Sequence, residues 1–233
     1  MKDSAALWRH VVAVAVLPLL ALGCVPASES AAAEVPERDV RTLPSERLPG
    51  LPDRMMEAAD ASRVLGGITA TVRMLVISDY QCDSCRIWFE QRLPVVRNEY
   101  IETHKASLTW VHYPLRRHPS AVRAASATLC AGVQGKFWES STRIFAGQAL
   151  WSKSPRAHKV IDSLAAVPGL DKFTLDNCIE STRMLRQVRR DIDWTDTAHA
   201  GTPFTLLIGA RRLSASSSIA TLRAVMDSAI SGK

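Results

Sequence analysis

Two cysteines stand three positions apart in DYQCDSCRIWFEQRLP (Asp79 to Pro94), directly after the apolar run MLVIS and at the mouth of a helical pattern. That spacing serves three chemistries: half of a metal site, a structural staple, or a dithiol that makes and breaks a disulfide. A zinc site needs four ligands, normally a second CxxC or a His pair at helical spacing. Neither occurs, since His10, His104, His112, His118, His158 and His199 are scattered and Cys130 and Cys178 lie far apart in helical patterns. A staple across so short a loop removes little unfolded-state entropy. Redox exchange is the reading left standing, and it requires no metal and no organic cofactor. With Cys82 at a helix start, the positive end of the macrodipole and unpaired backbone N–H groups favour its thiolate. Cys85, one turn on, is then set to resolve a mixed disulfide.

The surrounding elements must present this pair. TVRMLVIS, from Thr71, has the β-branched and aliphatic density of a buried strand. A helix follows over about Ser84 to Tyr100, with Ile87, Trp88, Leu93, Val95 and Val96 apolar and a kink expected at Pro94. SLTWVHYPL (Ser107 to Leu115) is a second strand that the intervening helix allows to run parallel to the first. The next stretches, SAVRAASATLCAGVQGKFWESSTRIFAGQALW, RAHKVIDSLAAV and LDKFTLDNCIE, are Ala-rich, helical in period and separated by Gly, Ser-Pro and Pro-Gly breaks. They predict an inserted helical cap. STRMLRQVRRDIDWTDTAHA sets Met184, Leu185, Val188, Ile192 and Thr195 on one helical face. The chain then returns through a strand in GTPFTLLIG, an edge strand in RRLSASS and a closing helix in IATLRAVMDSAI.

The N-terminus predicts export. Lys2 and Arg9 precede VVAVAVLPLLALG, an apolar run short for a bilayer and interrupted by Pro18. LLALGC resembles a bacterial lipoprotein processing site in which Cys24 becomes the lipid-carrying first residue, although Ala21 stands where Leu is usual. A competing cut lies after ASESAAA (Ala27 to Ala33). Either cut delivers the mature chain to an envelope or periplasmic compartment where disulfides persist. Residues 25–62, rich in Pro, Ser and Ala, read as a flexible tether that leads to a folded domain over 63–233. The net charge of +6 is spread among acids, as in RQVRRDIDW, where Arg189 and Asp193 can pair at i,i+4. That is a solvated helix face and not a nucleic-acid patch.

The order strand, CxxC helix, strand, helical insertion and Gly-Thr-Pro before a strand resembles the DsbA-type thioredoxin-fold disulfide oxidoreductases over roughly Arg63 to Ile230. The residues that carry it are SDYQCDSC (Ser78 to Cys85), YPLRRHPSA (Tyr113 to Ala121), CAGVQGKFW (Cys130 to Trp138), NCIES (Asn177 to Ser181) and GTPF (Gly201 to Phe204). The resemblance implies an α/β thioredoxin fold with a helical cap inserted over about 117–182. It makes Cys82 the nucleophile and Cys85 the resolving thiol. Pro203 is implied to be cis, with Thr202 aligning an extended substrate segment and Tyr80 flanking the site. Cys130 and Cys178 are implied to form a disulfide fastening two cap helices, the alternative being two buried free thiols. The implied partners are protein thiols and disulfides, and an envelope redox partner that resets the pair.

Two departures bear on the chemistry. Val76 stands six residues before Cys82, where the family often has a buried Glu that helps move protons. Water or another group must then serve, with Asp79 one candidate; His118 reads as a cap residue before a helix. The dipeptide Asp83-Ser84 lacks the Pro-His of strongly oxidising members, and an acid beside Cys82 is expected to oppose its thiolate. The cap favours oxidation of folding proteins, while Asp-Ser and the Thr before Pro203 leave reduction open. A different class of function, a non-catalytic module gripping extended peptides or Cu(I) between the cysteines, uses the same scaffold.

Overall fold

Strand β2 (Val72–Ser78) buries Val72, Met74, Val76 and Ile77, so both of its faces are covered, as befits the centre of a sheet. The computed structural model describes residues 40–42, 53–67 and 69–232; the signal segment, Cys24 and most of the tether lie outside them. β3 (Ala106–His112) runs parallel to β2, from Val72 opposite Ala106 to Ser78 opposite His112. β1 (Val64–Leu65) pairs antiparallel with β3, β4 (Thr205–Ile208) with β2, and β5 (Arg211–Ser214) with β4, in the order β1-β3-β2-β4-β5. This is the expected α/β thioredoxin architecture, with β1 the strand that two residues of sequence could not announce.

The β2 to β3 crossover is a broken helix. α2 (Asp83–Gln91) ends at Arg92, α3 (Leu93–Val96) carries Pro94 in its first turn, and a π turn follows over Arg97–Ile101. In a first turn the missing proline N–H costs nothing, because that donor has no intrahelical partner anyway. The kink expected at Pro94 is therefore a restart.

Between β3 and β4 lie α4 (Ala121–Val133), α5 (Phe137–Ala146), α6 (Gln148–Trp151), α7 (Ala157–Ala165), α8 (Lys172–Glu180) and α9 (Arg183–Thr197). α4 is the axis of the cap. Ala124, Ala125, Ala127, Ala131 and Gly132 are all buried, and a helix this small in section lets neighbours approach from every side. Cys130 on α4 and Cys178 on α8 are joined as a disulfide, with Cα atoms 5.7 Å apart. α10 (Ile219–Ile230) closes the chain against β2 and β4.

The tether is shorter than its composition suggests. Within the span read as flexible, α1 (Arg54–Ser62) is capped by the Asp53 carboxylate and buries Met56 and Ala59. It docks on α4 at Gly132, where a Cβ would lie 2.3 Å from Ser62 Oγ. Val40, in a short 3-10 turn over Val40–Thr42, is buried as well. Two buried apolar residues in α1 and one in the turn are too few to show as a period; α1 finds its place in the groove beside Gly132, and the turn lies against α9.

A polar cluster fixes β1, β3 and α9 together. Met184, Val188, Ile192 and Thr195 of α9 are buried as expected, and so are Gln187 and Asp191 on the same side. Asp191 Oδ2 accepts from Arg63 Nη1, from the His112 amide at 2.8 Å and from His112 Nδ1 at 3.1 Å. Arg63 also pairs with Asp60 at 2.7 Å and donates to the Trp110 carbonyl. Burial alone would push the Asp191 carboxyl up; the Arg63 guanidinium and His112 outweigh it and hold it at about 2. Burial pushes the His112 imidazole below its usual value despite Asp191, so His112 stays neutral and donates from Nδ1.

Two outcomes are expected. Replacing both Cys130 and Cys178 with Ala lowers the unfolding free energy by roughly 4 kcal/mol in the chain-entropy model, read by denaturant melts. The Asp191 carboxyl sits below its ordinary 3.8, so its contribution is full above that value and is lost as the pH falls through about 2. Asp191→Asn should cost about 3 to 5 kcal/mol at neutral pH, because it leaves the Arg63 charge buried with less compensation, and should flatten acid destabilisation between pH 4 and 2.

Candidate active site

Asp79, Tyr80 and Gln81 carry the chain from the end of β2 to the start of α2, and Cys82 is that helix's N-cap. Its backbone is extended, with φ −86° and ψ 119°, and its sulfur accepts the Cys85 amide hydrogen bond at 3.3 Å. A sulfur thus does what a Ser or Asp oxygen does at an ordinary N-cap. Ser84 Oγ lies 3.1 Å from the same sulfur. Both cysteines are free thiols; Cys85 is wholly buried and Cys82 is 9% exposed.

These contacts split the two thiols. Hydrogen bonding from the Cys85 thiol, helped by the Ser84 hydroxyl and the Cys85 amide, outweighs burial and the Asp79 charge and brings Cys82 down to about 6. Burial, then the Cys82 sulfur itself, pushes Cys85 well above the usual thiol value, with the Ser78 hydroxyl and the Asp79 backbone acting the other way. At neutral pH Cys82 is a thiolate and Cys85 a thiol, the division of labour that an attacking and a resolving sulfur need. The carboxylate opposing the thiolate is Asp79 and not, as the dipeptide suggested, Asp83, whose side chain turns out to solvent on the first turn of α2.

Asp79 organises the loop. Its carboxylate is fully buried and accepts from the Gln81 amide (2.7 Å), the Leu115 amide (2.8 Å) and His118 Nδ1 (2.7 Å). Its carbonyl accepts from the Cys82 amide at 3.1 Å. His118 is therefore not a helix cap: α4 starts three residues later, behind Ser120, and the imidazole turns back to the cysteine loop. The cap grips the same loop elsewhere. Gln81 donates to the Ser152 carbonyl and accepts from the Ser120 amide, while buried Gln148 of α6 donates to the Tyr80 carbonyl and accepts from Arg86. Ser84, Gln81 and Gln148 were missed by sequence reasoning; a Gln within the apolar run FAGQALW was the one visible signal.

Tyr80, expected to flank the site, lies in the core instead. Its side chain is 1% exposed, its hydroxyl bonds Ser141 at 2.7 Å, and its ring packs on Phe145 at 4.7 Å and Trp110 at 6.0 Å. Two residues past the end of β2, strand alternation still directs its side chain into the sheet–cap interface. Thr202 and Pro203 precede β4, whose Thr205 pairs with Ile77, so they share the sheet end that carries Cys82. Phe204 anchors this segment on α2 through a ring contact with Trp88 at 4.7 Å. Thr202 is exposed, and its carbonyl accepts from the Thr205 hydroxyl at 2.6 Å. The cis bond expected at Thr202–Pro203 falls one step later, at Pro203–Phe204.

A helix-capping thiolate above a buried thiol, on a mixed sheet with a helical insertion, defines a thioredoxin-fold dithiol site. Comparison with known proteins agrees. The family profile described as Thioredoxin matches residues 58–228. The chain belongs to the thioredoxin family. Among solved structures it is similar to BdbD from Bacillus subtilis (TM-score 0.62, 18% identity, covering 73% of this chain and 93% of that one). It is also similar to Chlamydia trachomatis DsbA (0.60, 21%, 71% and 88%) and to Wolbachia pipientis alpha-DsbA1 (0.64, 16%, 73% and 91%). At these identities the likeness is one of fold, and the fold is that of the DsbA type. Curated relatives include the "Probable disulfide bond formation protein D" of Bacillus anthracis, 24% identical over 59% of this chain and 65% of that one. The Na(+)/H(+) antiporter NhaA 1 of Salinispora arenicola is 31% identical over 74% of this chain and 25% of its own length. The chain thus spans about a quarter of the antiporters it matches. Among the described residues, no helix is long and apolar enough to cross a membrane.

Ser84→Ala removes a hydrogen bond to the thiolate and should raise the Cys82 thiol by roughly 0.5 to 1 pH unit, read from thiolate absorbance against pH.

Proposed function

We propose that this chain is an exported thiol–disulfide oxidoreductase that oxidises protein dithiols through the Cys82/Cys85 pair. The observation that carries the reading is the split between the two thiols, with Cys82 at about 6 and Cys85 well above the usual value. Exchange begins when a substrate thiolate attacks Cys82 Sγ of the oxidised pair; Cys85 leaves, and a second substrate thiol then displaces Cys82 as a thiolate. A stable leaving thiolate stabilises the reduced enzyme, and that favours oxidation of the substrate. Thr202 and Pro203, at the sheet end beside Cys82, serve in this reading as the segment against which an extended substrate aligns. An envelope redox partner resets the pair. The signal-like N-terminus supports export, with Cys24 the candidate for a lipid anchor.

Equilibration of the mature chain with glutathione buffers tests the direction. A potential near or above about −180 mV supports the oxidase, and one near about −270 mV makes it a reductase. Cys82→Ser should abolish reactivation of a reduced, unfolded substrate such as ribonuclease A. Retained turnover in that variant would remove Cys82 from its role, and a wild-type chain that binds peptide without exchange would be a binding module. Metabolic labelling with radioactive palmitate, compared with Cys24→Ala, tests the anchor.

A further inference from the structure

The conventional proton-handling Glu position holds Val76, a fully buried apolar residue, yet the pair must still exchange protons whenever it changes oxidation state. One ionisable couple reaches the cysteine loop from outside α2. His118, on the connection between β3 and α4, is bound through Nδ1 to the Asp79 carboxylate at 2.7 Å. That carboxylate is fully buried, while the His118 side chain keeps 17% exposure and so can trade protons with solvent. Asp79 touches both sulfurs' surroundings: its carbonyl accepts from the Cys82 amide and its backbone hydrogen-bonds the Cys85 sulfur.

We propose that His118, held by Asp79, is a positioning residue whose positive charge supports the Cys82 thiolate and whose proton leaves when Cys82 and Cys85 join. The inference rests on the reading of Cys82/Cys85 as an exchanging pair. Its reaction balances. Reduced enzyme holds a Cys82 thiolate, a Cys85 thiol and an imidazolium. The Cys82 thiolate attacks a substrate disulfide, forming a mixed disulfide and expelling one substrate thiolate. Cys85 loses its proton and attacks Cys82 Sγ; the Cys82–Cys85 bond forms and the second substrate thiolate leaves. The substrate has gained two electrons. It also takes up two protons, one from Cys85 and one from His118, and the enzyme ends neutral at both places. The reverse reaction, oxidation of a substrate dithiol, returns both protons.

The groups facing His118 set the sign. The Asp79 hydrogen bond raises its imidazole above the usual value, against burial; the Asp79 charge and the Cys82 thiolate raise it too, and Arg117 on its own loop opposes. Facing Cys82 are the Cys85 thiol, Ser84 and the Asp79 charge. Because coupling between two titrating sites is reciprocal, whatever the thiolate adds to His118 the imidazolium takes from Cys82. Disulfide formation removes the thiolate, and the His118 value must then fall by the same amount.

The decisive experiment titrates the His118 ring by NMR in the reduced and the oxidised wild-type chain, with His118→Gln as the assignment control. We expect a value higher by roughly 1 pH unit in the reduced chain, as for a single opposite charge nearby. Thiolate absorbance should show Cys82 rising by the same amount in His118→Gln, which shifts the thiol–disulfide equilibrium at pH 7 about fivefold toward the disulfide. Equal His118 values in the two oxidation states overturn the proposal, as does an unmoved Cys82 in a folded His118→Gln. Exchange of the wild-type chain with oxidised glutathione is measured alongside. If exchange proceeds and the His118 values coincide, the proposal alone falls; if there is no exchange, the reading beneath it falls as well.

Discussion

A sulfur atom caps the helix on which the site is built. Because Cys82 accepts the amide of Cys85 in place of an oxygen, the helix end is satisfied best when that sulfur is charged, so helix formation and thiolate formation favour one another. The same turn buries Cys85 behind Cys82, where a second charge is too costly. Two chemically identical side chains thereby acquire opposite tendencies from a single turn of helix. A redox pair needs nothing more elaborate at its centre, but it does need that turn to be held rigidly.

The rigidity comes from the cap. Asp79 ties the loop to Leu115 and His118, and Gln81 and Gln148 tie it to α4, α6 and the turn after α6. Below, Tyr80 enters an aromatic cluster with Trp110 and Phe145, so the backbone just before Cys82 is pinned from the interior. The Arg63–Asp191–His112 cluster then locks the end of β3 to α9, and β3 is the strand from which the His118 loop departs. The helical insertion is thus part of the site and not an ornament on it. A disulfide between α4 and α8 secures that insertion at the far end of the same helix that begins beside His118.

Family resemblance and physical reading meet at the CxxC helix and part at its neighbours. The acid that acts on Cys82 is Asp79, three residues upstream, because the loop folds its carboxylate inward while Asp83 turns out to solvent. Ser84, two residues after Cys82 and next to Cys85, supports the thiolate from a position whose hydroxyl carries no obvious signal in the chain.

Local patterning determined much. Alternating and continuous apolar runs specified β2, β3 and β4, small residues specified a buried α4, and the spacing of Cys82 and Cys85 before a helix specified the chemistry, since each depends on neighbours a few positions away. Tertiary structure alone decided which polar residues lie inside. Asp191 sits on the apolar face of α9 because Arg63, 128 residues earlier, meets it there. Tyr80 faces the core because the cap covers that side of the sheet, and α1 folds because Gly132 leaves a groove for it. His118 joins the site because β3 ends beside β2. A hydrogen bond or a buried charge is favourable only with its partner in place, and partners distant along the chain leave no periodic trace in it.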